Sequence, residues 1–185
     1  ALFGNRHIPF ASVSPEAAAC SITFGAPSKA FNIAGIVSSY SVVPNDSLRH
    51  RFHEWMEANE MNAAPLFSPI ATIAAFRKGE EWRKQMLEYV EGNINFLTDY
   101  CREKMPEIKP LRPQASFLVW LDCRGLGLDH DQLVDLFINK AGLALNDGEM
   151  FNPGGQGFMR LNVGTPRKVL KSALDRLHKA ISENL

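Results

Sequence analysis

From Glu80 to Met105 the apolar residues Trp82, Met86, Tyr89, Val90, Leu97 and Cys101 recur at the spacing of one helical face. At ~1.5 Å per residue, these 26 positions form a rod of about 39 Å, long enough to link two subdomains. The same pattern also suits an ordinary amphipathic surface helix. The rod therefore constrains the architecture without naming a function.

Shorter elements flank it on both sides. Ser14-Pro15-Glu16 is a helix start, with serine as N-cap and proline at the first helical position. Ser21–Phe24 and the β-branched run Ile36–Val43 predict strands, the second ending at Pro44. Asn45 or Asp46 caps a helix reaching about Asn59, and Pro65 and Pro69 bracket the entry to another, from Ile70 to Lys78. Beyond Pro106, Ser116–Asp122, Leu143–Leu145 and Gly157–Val163 are expected strands. Asp129 with Gln132 forms a capping-box start for a helix to about Lys140. Thr165-Pro166 opens a last helix with Val169, Leu170, Ala173, Leu174, Leu177, Ala180 and Ile181 on its apolar face. Strands alternating with helices predict an α/β fold.

Two segments carry chemistry. In Thr23–Gly35 a single lysine, Lys29, follows the turn formers Gly25 and Pro27 and lies among Ala30, Phe31 and Ile33. Desolvation there would disfavour the ammonium, and an amine partly neutral near pH 7 can condense with an aldehyde cofactor. Most lysines beside such turns are simply solvated. Ser28 either hydrogen-bonds a cofactor phosphate or the lysine amine, or caps the loop backbone, and Asn32 is either a cofactor contact or loop architecture. In Met159-Arg160-Leu161-Asn162-Val163-Gly164 an arginine stands between apolar neighbours on an expected strand. A buried guanidinium needs an anion, supplied either by an internal carboxylate or by a ligand's.

The letters go further than the spacing. Ala-Pro-Ser-Lys-Ala-Phe-Asn-Ile-Ala-Gly (residues 26–35) resembles the cofactor-lysine segment of fold-type I pyridoxal-phosphate (PLP) enzymes of the class I/II aminotransferase superfamily. It is most like the cystathionine β-lyase-like C–S lyase branch. Gly-Phe-Met-Arg-Leu-Asn-Val-Gly (157–164) resembles the substrate-carboxylate arginine motif of the same family, about 130 residues further on, and the likeness runs from about Phe10 to the C-terminus. Many aminotransferases carry a serine three before the lysine and an arginine eight after it. Here Ala26 and Val37 stand there, which points away from aspartate-type aminotransferases.

The resemblance implies the C-terminal part of a PLP-dependent transferase-like fold. Residues 1–79 would be the end of the large domain, 80–105 an interdomain helix and 106–185 the small domain. It implies PLP as cofactor, Lys29 as catalytic and cofactor-binding residue, Ser28 and Asn32 as further cofactor contacts, and Arg160 as substrate-binding residue. The substrate would be a small amino acid and the whole protein a homodimer, with residues 62–68 reaching toward the neighbouring subunit. A β-eliminating lyase and an aminotransferase share Lys29 and Arg160, so both readings stay open, as does a non-catalytic interaction domain. The loop Asp147–Gly155 is an expected mobile edge of the substrate pocket.

Other classes find little support. Twenty basic and twenty acidic residues cancel, with no basic run to mark nucleic acid or an anionic membrane. No apolar segment approaches the ~20 residues that span a bilayer. Cys20, Cys101 and Cys123 are odd in number and widely spaced, fitting neither a disulfide framework nor a zinc site, so a reducing cytoplasm is expected. His50, His53 and Glu54 form either a helix-face metal site or a solvated face. The start at Ala1-Leu2-Phe3, without methionine, suggests a piece of a longer protein. The family's ring-nitrogen aspartate and main phosphate-binding turn have no counterpart here, so the chain alone is expected to bind PLP poorly and to be inactive.

Overall fold

The computed structural model describes residues 1–151 and 153–184. The chain forms two compact units, one of Arg6–Met86 and the other of Ala1–Asn5 with Leu87–Leu185.

The Arg6–Met86 unit holds α1 (Pro15–Ala19), β1 (Thr23–Gly25), β2 (Tyr40–Val42), α2 (Asp46–Ala58) and α3 (Ser68–Lys78). The helix starts follow their caps: the Ser14 side chain accepts from Ala17 N, and that of Asn45 accepts from Leu48 N. β1 and β2 pair antiparallel, with Gly25 opposite Tyr40. A Cβ on Gly25 would overlap the hydroxyl end of the Tyr40 ring, which would have to shift. Phe76 of α3 packs edge-on to both Phe31 and Tyr40, at 5.5 and 5.8 Å between centroids.

This unit buries little apolar surface. Ala17 and Val43 are core residues, whereas Phe24, Val42, Ile70, Ile73 and Phe76 stay largely exposed.

Strand β2 is shorter than expected. Residues 34–36 form a 3-10 turn instead, and Val37 takes a left-handed backbone (φ +50°) that β-branched residues avoid. Ser68 holds it there: its buried hydroxyl donates to the Ile36 carbonyl at 2.6 Å, and Ser38 bonds Thr72 at 2.7 Å. Helix α3 therefore starts at Ser68, two residues before the sequence expectation.

Helix α4 (Glu80–Lys104) starts in the first unit and continues through the second. The second unit's sheet has the order β3 (Lys109–Leu111), β4 (Leu118–Asp122), β6 (Phe158–Asn162), β5 (Asn146–Asp147), antiparallel throughout. Val119, Leu121, Met159 and Leu161 alternate onto its buried face. Helix α6 (Arg167–Asn184) buries Leu170, Leu174, Leu177, Ala180 and Ile181, as its pattern predicts.

Helix α5 (His130–Asp135) has the full Asp129/Gln132 capping box and continues as a π-type turn over Leu136–Lys140. Two expectations fail. Leu143–Leu145 is not a strand: Leu143 N bonds back to the Phe137 carbonyl at 2.7 Å, and pairing begins only at Asn146. β3 is a strand that the sequence reading did not include; its Pro110 is tolerated because β3 lies at the sheet edge.

Asn93 of α4 ties this unit together. Fully buried, it donates to the carbonyls of Val163 (2.7 Å) and Thr165 (2.8 Å) and accepts from Arg167 Nε (2.6 Å). It thereby fixes the turn by which the chain leaves β6.

Candidate active site

The Lys29 loop is closed by its own backbone. Phe31 N donates to the Pro27 carbonyl at 2.9 Å and Ile33 N to that of Ser28 at 3.0 Å. Wound this way, Pro27 turns inward and is buried, Phe31 and Ile33 are half-buried, and Lys29, Ala30 and Asn32 face outward. The expected water-poor surroundings of Lys29 are thus absent: the apolar neighbours in sequence occupy the opposite face of the turn. Asn32 is exposed with φ +52°, a left-handed conformation asparagine tolerates. Ser28 is half-buried, and its backbone carbonyl carries the turn. Among the described residues, no acidic side chain pairs with Lys29 and no side-chain hydrogen bond engages the Ser28 hydroxyl.

Arg160 lies on β6, paired with Trp120 of β4 on one side and Asn146 of β5 on the other. Strand alternation puts it on the half-open face of the sheet, away from the apolar core. Its Nη2 donates to Asn146 Oδ1 at 2.9 Å, and its Cζ stands 4.4 Å from the Phe151 ring centroid. Phe151 is in turn edge-on to Trp120 at 5.3 Å. Arg160 Nε is buried without a partner, and no carboxylate among the described residues forms an ion pair with the guanidinium.

Arg124 is a useful contrast on the same sheet. It also covers a ring, Phe158 at 4.9 Å, but Asp122 neutralises it at 2.7 Å, and that contact holds the Asp122 carboxyl below the usual range. Arg160 thus has no such internal partner among the described residues.

The loop that delivers Phe151 is pinched at its base, where Gly148 and Gly155 meet backbone to backbone; a Cβ on either would overlap the other's carbonyl. His130 stands beside it, with Nε2 3.2 Å from Asp147 Oδ2. Asn152 of this expected pocket edge lies outside the described residues. Sequence reading missed Asn146 and Trp120, since only strand pairing brings them to Arg160, whereas Phe151 belongs to the 147–155 loop already expected at the pocket edge. Ser28, Lys29 and Asn32 share one loop of the first unit, and Arg160 belongs to the second.

His50 pairs with Glu54 at 3.1 Å on an exposed helix face, and no group of three metal-ligating side chains occurs among the described residues. Cys20 is exposed, Cys101 and Cys123 are buried, and all three are free. Among the described residues no helix is long and apolar enough to cross a membrane.

No protein-family model matches the chain. It is 36% identical over 181 residues to cystathionine β-lyase PatB of Bacillus subtilis, covering 98% of this chain and 47% of that protein. Cystalysin from Treponema denticola, whose crystal structure contains a pyridoxal 5'-phosphate cofactor, superposes with a TM-score of 0.94 at 31% identity, over 98% of this chain and 46% of that one. The aspartate aminotransferase of Pyrococcus horikoshii is 25% identical over 180 residues, 95% of this chain and 44% of that protein. The chain spans about half the length of the curated relatives it matches. By sequence and fold it matches the C-terminal part of PLP-dependent enzymes of the class I/II aminotransferase superfamily. The relatives it matches are cystathionine β-lyases and PLP-dependent aminotransferases.

Proposed function

We propose that the whole protein is a PLP-dependent C–S β-lyase acting on cystathionine or related cysteine-type amino acids. The observation that carries the amino-acid part of the reading is Arg160: a ring-stacked guanidinium with no ion-pair partner among the described residues supports a carboxylate arriving from outside the chain. The Lys29 loop fits the cofactor, because the lysine is outward-facing and engaged by no acidic group, and the Ser28 hydroxyl beside it is uncommitted.

Lys29 would hold the cofactor through Nζ, with Ser28 and Asn32 contacting it. Once bound, the cofactor supplies an electron sink for the charge that develops at the substrate Cα. Arg160 binds the substrate carboxylate bidentately, which fixes the orientation of Cα. Lys29 Nζ would take the α-proton as general base. The Cβ–S bond then breaks with its electron pair leaving on sulfur as thiolate, which a proton neutralises; the three-carbon remainder hydrolyses to pyruvate and ammonia.

An aminotransferase is the alternative, because the same lysine and arginine serve both reactions. Among the curated relatives, a named cystathionine β-lyase is 36% identical and a named aspartate aminotransferase 25%, which supports the lyase, while a solved structure described as a ‘putative aminotransferase’ is 39% identical and keeps the alternative open. The chain would comprise the end of the large domain (1–79), the interdomain helix (80–105) and the small domain (106–185). A homodimer is supported by Leu66 and Phe67, which are 78% and 72% exposed in the segment before α3. The three free thiols support a cytoplasmic location.

The test incubates the whole protein with cystathionine, with and without a keto-acid acceptor. Release of thiol and pyruvate without acceptor, lost in Lys29→Ala together with the visible absorbance of the bound cofactor, is expected. Turnover that requires the acceptor would move the assignment to the aminotransferase.

A further inference from the structure

We propose that Asn146 is a positioning residue for Arg160, and that its neutrality selects carboxylate-bearing substrates. The proposal rests on the reading of Arg160 given above.

Asn146 stands opposite Arg160 in the β5–β6 ladder, and its side-chain oxygen accepts from Nη2 at 2.9 Å. Phe151 covers the guanidinium at 4.4 Å and is itself set by Trp120. Ring and amide together fix the plane and one corner of the fork. An arginine has five N–H donors, so one bond to a neutral amide leaves the positive charge and the other outward N–H groups for an incoming anion. A carboxylate at position 146 would make the pair an internal salt bridge, as Asp122 does for Arg124. The site would then be neutral before any substrate arrived.

The test measures, in the whole protein, kcat and KM for the amino-acid substrate and for its carboxamide analogue. Asn146→Asp is expected to raise KM for the free acid about tenfold or more, the worth of one charge-assisted bond, and to lower the acid-over-amide preference by the same factor. Asn146→Leu adds no charge. It is expected to raise KM about threefold through lost orientation, leaving kcat and the preference nearly unchanged.

Equal effects of the two variants on KM, with an unchanged preference in both, would reduce Asn146 to a structural residue and overturn the proposal. If Asn146→Asp does not fold, an unaltered KM in Asn146→Leu overturns it alone. Arg160→Gln separates the two levels. If it abolishes the acid preference while Asn146→Asp does not, only the role of Asn146 falls. If Arg160→Gln leaves the preference intact, the assignment of Arg160 itself is wrong.

Discussion

Asn93→Ala removes one side chain and three hydrogen bonds at once. The Val163 carbonyl it serves is buried, and leaving that acceptor unsatisfied costs about 1–3 kcal/mol. The bonds to Thr165 and Arg167 are partly reached by water and contribute about 0.5–1.5 kcal/mol each. The expected loss is roughly 3–4 kcal/mol, a large share of the ~5–15 kcal/mol that separates folded from unfolded domains. The turn affected, Val163–Thr165, directly follows the strand that carries Arg160, so substrate affinity should weaken along with stability. Urea unfolding followed by circular dichroism measures the first effect, and KM of the whole protein the second. A midpoint shift worth less than ~1 kcal/mol at unchanged slope would show that water replaces the amide and that Asn93 does not clamp the turn.

Other expectations follow from single contacts. Gly148→Ala places a methyl against the Gly155 carbonyl, backbone that cannot move aside cheaply, so the loop must open. The edge-on contact between Trp120 and Phe151 should be lost, and an unchanged near-UV circular dichroism spectrum of the aromatic residues would refute the pinch. Burial pushes the Cys101 and Cys123 thiols up to about 12. A folded-state value above the unfolded one, about 8.5, means that this stabilisation is complete below that pH and is lost as pH rises toward 12. Each thiol should contribute a slope of ~1.4 kcal/mol per pH unit in that window. Replacing both by alanine should flatten the denaturant midpoint between pH 8.5 and 10 relative to the unaltered chain, and parallel curves would refute it.

Local signals were legible wherever the physics is local. The caps at Ser14, Asn45 and Asp129/Gln132 start helices because a side chain satisfies backbone donors two or three residues away. The long amphipathic rod is there as α4, and the core stripe of α6 is buried as its period requires. The strand bearing Arg160 could be read from its apolar run. The lysine and arginine segments identified their family by their letters, without any geometry.

Strand pairing and exposure could not be read this way. β3 contains a proline and β5 only two residues, and both exist because a neighbouring strand supplies the other half of each hydrogen bond. Lys29 faces outward although its neighbours in sequence are apolar, since the winding of the turn, and not composition, selects which side chains point in. Asn146 and Phe151 converge on Arg160 from 14 and 9 residues upstream through a ladder and a glycine-pinched loop. The sequence alone determined the helices and the chemical vocabulary of the site. Tertiary structure decided which of those groups is neutralised and which is left for a ligand, because a charge is compensated by what lies next to it in space.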